Sequence, residues 1–174
     1  MHILRMRDAA YVRRGETIVA PTNLDLAPGE HVTRPCNGAH EAEGLAMMAA
    51  ALARATAGSV TIGEYDPRVQ PVHCKRIAAF VPHDPLPLSQ IDARRYVAYR
   101  AALWDIDVQL AHRRAHELLA RLHGLHEAFA YPIVCALLPA PQLLVLDRPL
   151  AASVAQISAA ADCAIFITQA DGLT

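Results

Sequence analysis

The stretch RPCNGAHEAEGL, Arg34 to Leu45, lies between a strand-like run and an alanine-rich, helix-like run, the position a phosphate-cradling loop would take. Such a loop wraps backbone N–H groups around phosphate oxygens. It needs closely spaced glycines, a lysine for the outer phosphates and a hydroxyl for magnesium. Here the glycines are Gly38 and Gly44, one residue too far apart for G-x-x-x-x-G-K, and Lys75, the only lysine of the chain, lies far downstream. Glu41 and Glu43 instead bring negative charge to the helix start, where an anionic ligand would bind.

The elements that must position this loop are legible in the hydrophobic pattern. HILRMR and ETIVAPTNLDL read as strands of a small antiparallel portion, the latter as two short apolar segments, and APGE is a turn into the strand HVT. A buried helix is expected over Ala42–Ala55, ending at Gly58, and SVTIGEYD and RIAAFVP read as strands. Helical spacing marks DARRYVAYRAAL and DVQLAHRRAHELLARL, with Gly124 as the stop. In AFAYPIVCALLPAPQLLVL, Pro132, Pro139 and Pro141 break an otherwise membrane-length run into a short buried helix, a turn and a buried strand, so no direct membrane insertion is expected. An alanine-rich helix after Pro149 and the strand AIFIT close the chain. Fully apolar strands among helices imply a mostly parallel sheet covered on both faces.

The order of these pieces resembles the nucleotide-binding domain of ATP-binding-cassette (ABC) transporters over almost the whole chain. TAGSVTIGEYD (Thr56–Asp66) is similar to the family's TSGxVxIxGxD, and PQLLVLDRP (Pro141–Pro149) to its PxLLxLDEP. The resemblance implies an α/β fold: a mostly parallel, P-loop-type core sheet flanked by helices, with an N-terminal antiparallel β portion and a reduced helical subdomain. It implies one domain over 1–174, with the β portion and degenerate loop helix over about 1–66, the helical region over 84–140 and the core strands over 141–174.

It also assigns roles, and the residues depart from most of them. The degenerate phosphate loop is Cys36, Asn37, Gly38, Ala39, His40, Glu41, Ala42 and Glu43. Aligned without gaps from Gly29 to Gly58, the lysine position falls on Ala42 and the magnesium hydroxyl on Glu43; aligned on NGA, they fall on Glu41 and Ala42. Asp147 matches the metal-site aspartate. The general-base glutamate is replaced by Arg148, which cannot accept a proton from water. His83 stands for the γ-phosphate-sensing glutamine and Gln169 for the switch histidine. The LSGGQ signature needs adjacent glycines, and the chain has no Gly-Gly pair. Tyr11 stands where the family places an adenine-stacking aromatic, although a tyrosine near a strand end also suits core or rim packing.

The charge exchange suggests that Glu41 or Glu43 caps the helix start and that Arg148 pairs with one of them or with Asp147. Unrelated drift to solvated charges is the other reading, of equal standing. Other constellations are weaker. His112, His116, His123 and His126 fall on one arc of a single helix, but without HExxH or CxxC they read as solvated residues beside the apolar stripe. Arg94, Arg95, Arg113, Arg114 and Arg121, with Tyr96 and Tyr99, are interleaved with acids, and a net charge of −1 provides no field for nucleic acid. Four scattered cysteines and no leader suit reduced thiols in a cytosolic protein.

The expectation is therefore a degenerate ABC ATP-binding subunit: no cofactor, little capacity for hydrolysis, and a structural or regulatory role beside a membrane permease or an active ABC ATPase subunit. It would sit in the cytoplasm, peripheral to the membrane through the permease, docking through roughly Ile91–Leu122. The alternatives are an ATPase subunit that binds ATP and magnesium unconventionally, and a free-standing structural or regulatory domain.

Overall fold

A computed structural model describes residues 1–84, 92–125 and 127–171. Ile91 and His126, both used above, lie outside the described residues. Strand β1 (Leu4–Arg13) and strand β2 (Glu16–Leu26) form an antiparallel hairpin across Arg14 and Gly15, whose φ values of 53° and 83° make the primed turn that matches strand twist. Strand β4 (Ala57–Ile62) pairs with the other side of β1, giving the order β2-β1-β4. The expected antiparallel portion is present, with one correction. ETIVAPTNLDL is a single strand, and its Pro21 is tolerated because β2 is an edge.

The second sheet is parallel, in the order β3-β7-β6-β5, where β3 is His31–Cys36, β5 Ala78–Val81, β6 Leu143–Asp147 and β7 Ala164–Ala170. Both central strands are apolar runs because both of their faces are covered. Leu143, Val145, Ala164 and Phe166 face a core shared with helix α1 (Ala39–Ala49) and the antiparallel sheet. Leu144, Leu146, Ile165 and Ile167 face a second core built with the helices α3 (Ala93–Leu103), α4 (Val108–Arg121), α5 (Glu127–Leu137) and α6 (Ala151–Ala160). The period of two along each strand thus divides the molecule into two layers of core.

Local chemistry sets the helix starts. The Asp92 carboxylate accepts from Arg94 N at 2.8 Å, and the Asp107 carboxylate accepts from Leu110 N at 2.9 Å, each satisfying an N–H that a helix terminus leaves free. Two expectations need correction. Pro132 lies inside α5 rather than breaking the run there, and helix α2 (Pro71–Ile77), which buries only Cys74 and Ile77, precedes β5. Among the described residues no helix is long and apolar enough to cross a membrane.

Gly58 is not a helix stop either. Helix α1 ends at Ala49, and Gly58, at φ 70°, lies in β4 opposite the register shift of β1 between Arg7 and Ala10. A Cβ there would overlap the Asp8 carbonyl. Gly44 serves a different close approach: a methyl on it would meet Ile18 Cγ2 at 2.7 Å, so its absence lets α1 press onto β2. Gly58→Ala should combine a strained φ with a backbone clash and cost roughly 2–3 kcal/mol, read as a lowered midpoint in urea denaturation. An unchanged midpoint would contradict the close approach.

Candidate functional site

All four parallel strands end at the same edge, at Cys36, Val81, Asp147 and Ala170, the edge where open parallel sheets bind ligands. Asp147 is the last residue of β6 and is 3 % exposed. Across the ladder, Thr168 of β7 donates its hydroxyl to Asp147 Oδ1 at 3.1 Å. The next residue, Arg148, turns at φ 46°, and its backbone N–H donates to Thr168 O at 2.9 Å. That turn folds the guanidinium back onto its neighbour. Nε donates to Asp147 Oδ1 at 2.9 Å and Nη2 donates to Oδ2 at 2.8 Å, a bidentate pair with both carboxylate oxygens engaged.

A third strand end joins this group. His83 Nδ1 lies 2.9 Å from Arg148 O; a carbonyl can only accept, so the imidazole donates from Nδ1. The Asp147 hydrogen bonds hold the Arg148 pKa above its ordinary value, and the charges of Glu43 and Asp84 add to the effect. The guanidinium is therefore a fixed cation in an acidic surround.

The loop before α1 has its own internal contacts. Glu41, in the first turn, accepts from the backbone N–H of Asn37 at 2.6 Å and from Asn37 Nδ2 at 2.9 Å, both at Oε2. The residue at the helix boundary, Gly38, has φ 139° and provides no side-chain cap. Ala42 is buried in the core, Ala39 is half-buried, and His40 and Glu43 are exposed. Cys36 is buried, and its thiol is pushed up to about 11, chiefly by burial and then by the charge of Glu41.

Of the three carboxylates offered to Arg148 by the sequence, Asp147 is the one it binds; Glu41 turns to Asn37, and Glu43 acts on Arg148 only through space. Gln169 is exposed near the end of β7. Tyr11 is half-buried against the core, its Cδ1 3.3 Å from where a Gly44 Cβ would lie, so the ring packs on α1. Among the described residues no cluster of three or more His, Cys, Asp or Glu could hold a metal ion. The sequence did not foretell a cavity of about 270 Å³ beside the pair, walled by Phe129, Ile133, Leu146, Leu150 and Ile157 with His83 and Arg148 at its edge. Its walls come from separate elements, far apart in the chain.

No protein-family model matches the chain, and no curated protein matches its sequence. Solved structures are similar. The ATP-binding subunit of an ABC transporter superposes with a TM-score of 0.76 at 17% identity, over 97% of this chain and 80% of that one. CbiO1 from Clostridium perfringens, part of the ABC transporter complex cbiONQ, superposes with a TM-score of 0.74 at 17% identity, over 98% of this chain and 79% of that one. The chain thus has the fold of ABC-transporter ATP-binding subunits, as the order of its motifs implies.

Removing one partner of the pair leaves an almost wholly buried carboxylate with Thr168 as its only side-chain donor among the described residues. Arg148→Ala should therefore cost roughly 3 kcal/mol in urea denaturation, and Thr168→Val about 1 kcal/mol. Equal, negligible effects would mean that the pair is solvated. The thiols give a second check. Burial raises Cys36 and Cys163 to about 11 and Cys135 to about 12, so little thiolate forms at pH 8. Native protein should label with iodoacetamide at least about tenfold more slowly than urea-unfolded protein.

Proposed function

We propose that this chain is a non-hydrolytic member of an ABC transport system, a structural or regulatory partner that keeps the fold of an ATP-binding subunit without its nucleotide chemistry. One observation carries the reading: both oxygens of the carboxylate that would face a metal ion are already engaged by the neighbouring guanidinium. A magnesium ion would have to displace that cation and leave it beside its own charge. The loop supports the same conclusion, since a carboxylate occupies the Asn37 N–H where phosphate oxygens would need free donors. Mg-ATP therefore does not fit the residues present, and no catalytic step runs through it.

The partner would be a membrane permease or an active ATPase subunit, with the α3–α4 region as the docking element and the chain held peripherally at the cytoplasmic face. The similar CbiO1 is part of an ABC transporter complex, which favours this over a free-standing domain. Retention of Asp147 at the end of β6 is the observation for the second reading, a subunit binding ATP and magnesium unconventionally.

Steady-state turnover decides between them. The purified chain should release no phosphate from Mg-ATP above the background of an Asp147→Asn variant, whereas turnover lost in that variant would establish the second reading. In co-purification from cells expressing an ABC permease, the chain should be retained with it or with its ATPase subunit. Recovery of the chain alone would reject the partner role.

A further inference from the structure

The cavity of about 270 Å³ beside the Asp147–Arg148 pair takes no part in the partner role proposed above. Three of its lining residues, Ile133, Leu146 and Ile157, are buried and belong to the second core, so it lies on the helical face of the parallel sheet, across from α1 and its loop. Phe129 and Leu150 also line it and are 37% and 56% exposed, so its apolar wall runs from the core out to the surface. A dry interior void would have buried walls throughout. This one has a mouth, as a small-molecule site requires.

Size and polarity narrow the occupant. An apolar cavity of about 150 Å³ holds one benzene ring, so this volume has room for two fused rings. The charged groups at its edge are not free counter-ions: Asp147 and Arg148 engage each other, and Asp84 is exposed to water. A charged ligand would lose its hydration without gaining a buried partner of opposite sign. His83 supplies a neutral polar contact instead. Its Nδ1–H donates to the Arg148 carbonyl at 2.9 Å, which leaves Nε2 of the neutral ring as an acceptor for a ligand O–H.

We propose that this cavity binds a small neutral aromatic alcohol the size of two fused rings, with its rings among Phe129, Ile133 and Ile157 and its hydroxyl donating to His83 Nε2. Such a site does not depend on the partner role.

The probe is 2-naphthol, titrated into the purified chain while its own fluorescence is followed. It should bind saturably, about fivefold tighter than naphthalene, which lacks the hydroxyl, and at least about tenfold tighter than the anionic 2-naphthoate or the cationic 1-naphthylmethylamine. His83→Leu should abolish the preference for 2-naphthol over naphthalene while retaining binding of both. Ile133→Phe, which places bulk in the cavity, should weaken binding at least about tenfold with an unchanged or raised Tm. Where that variant loses its fold, Phe129→Ala, at a partly exposed position, should weaken binding about fivefold.

No saturable binding of 2-naphthol up to its solubility would overturn the proposal, as would equal or tighter binding of either charged analogue. Affinity unchanged in both Ile133→Phe and Phe129→Ala would put the probe elsewhere on the chain and reject the cavity. A preference for 2-naphthol that survives His83→Leu would reject the assigned acceptor. Displacement of the probe by Mg-ATP would give the cavity to the nucleotide and sink the proposal, whereas ATP turnover with the probe still bound would support the site while rejecting the non-hydrolytic reading.

Discussion

A carboxylate almost wholly withdrawn from water is stable only if something pays the cost of its burial, and at the end of β6 that partner is the next residue in the chain. The Asp147–Arg148 pair ties three strand ends together. Thr168 of β7 completes the carboxylate, and its carbonyl receives the Arg148 amide; His83 beyond β5 donates to the Arg148 carbonyl. The edge of the parallel sheet is thus fastened by its own side chains and backbone.

A related internal contact lies in the loop before α1, where Glu41 binds Asn37 but caps none of the helix's own N–H groups, contrary to the expected glutamate cap. A helix N-terminus leaves backbone N–H groups pointing outward, and phosphate or carboxylate can serve them equally well. Here Glu41 serves the loop from within the first turn, reaching Asn37. The question raised by the two loop glutamates has separate answers: Glu41 takes up a loop amide, whereas Glu43 remains exposed and adds negative potential near Arg148. Two independent internal contacts, after β3 and at the end of β6, thus engage polar groups at this edge of the sheet.

Much of the fold was legible because its strongest signals are backbone-scale. LLVLD and AIFIT are apolar at every position because both faces of β6 and β7 are buried, and Asp92, Asp107 and Gly124 punctuate the helices as their chemistry requires. What escaped depends on tertiary context. Helix α2 is too short to show a period, Pro21 looks like a break until β2 is known to be an edge, and Gly58 looks like a helix stop until β1 is laid against it. At the site, the sequence offered three carboxylates to Arg148. Only the turn at φ 46° selects Asp147, since it folds the side chain back along its own strand end. The cavity was not legible, because it is assembled from residues far apart in the chain.

Calorimetric titration of the chain with Mg-ATP tests the central claim most directly, namely that Arg148 already occupies the partner position of Asp147. The account predicts no saturable heat of binding at millimolar nucleotide. Saturable binding that disappears in Asp147→Ala would contradict it.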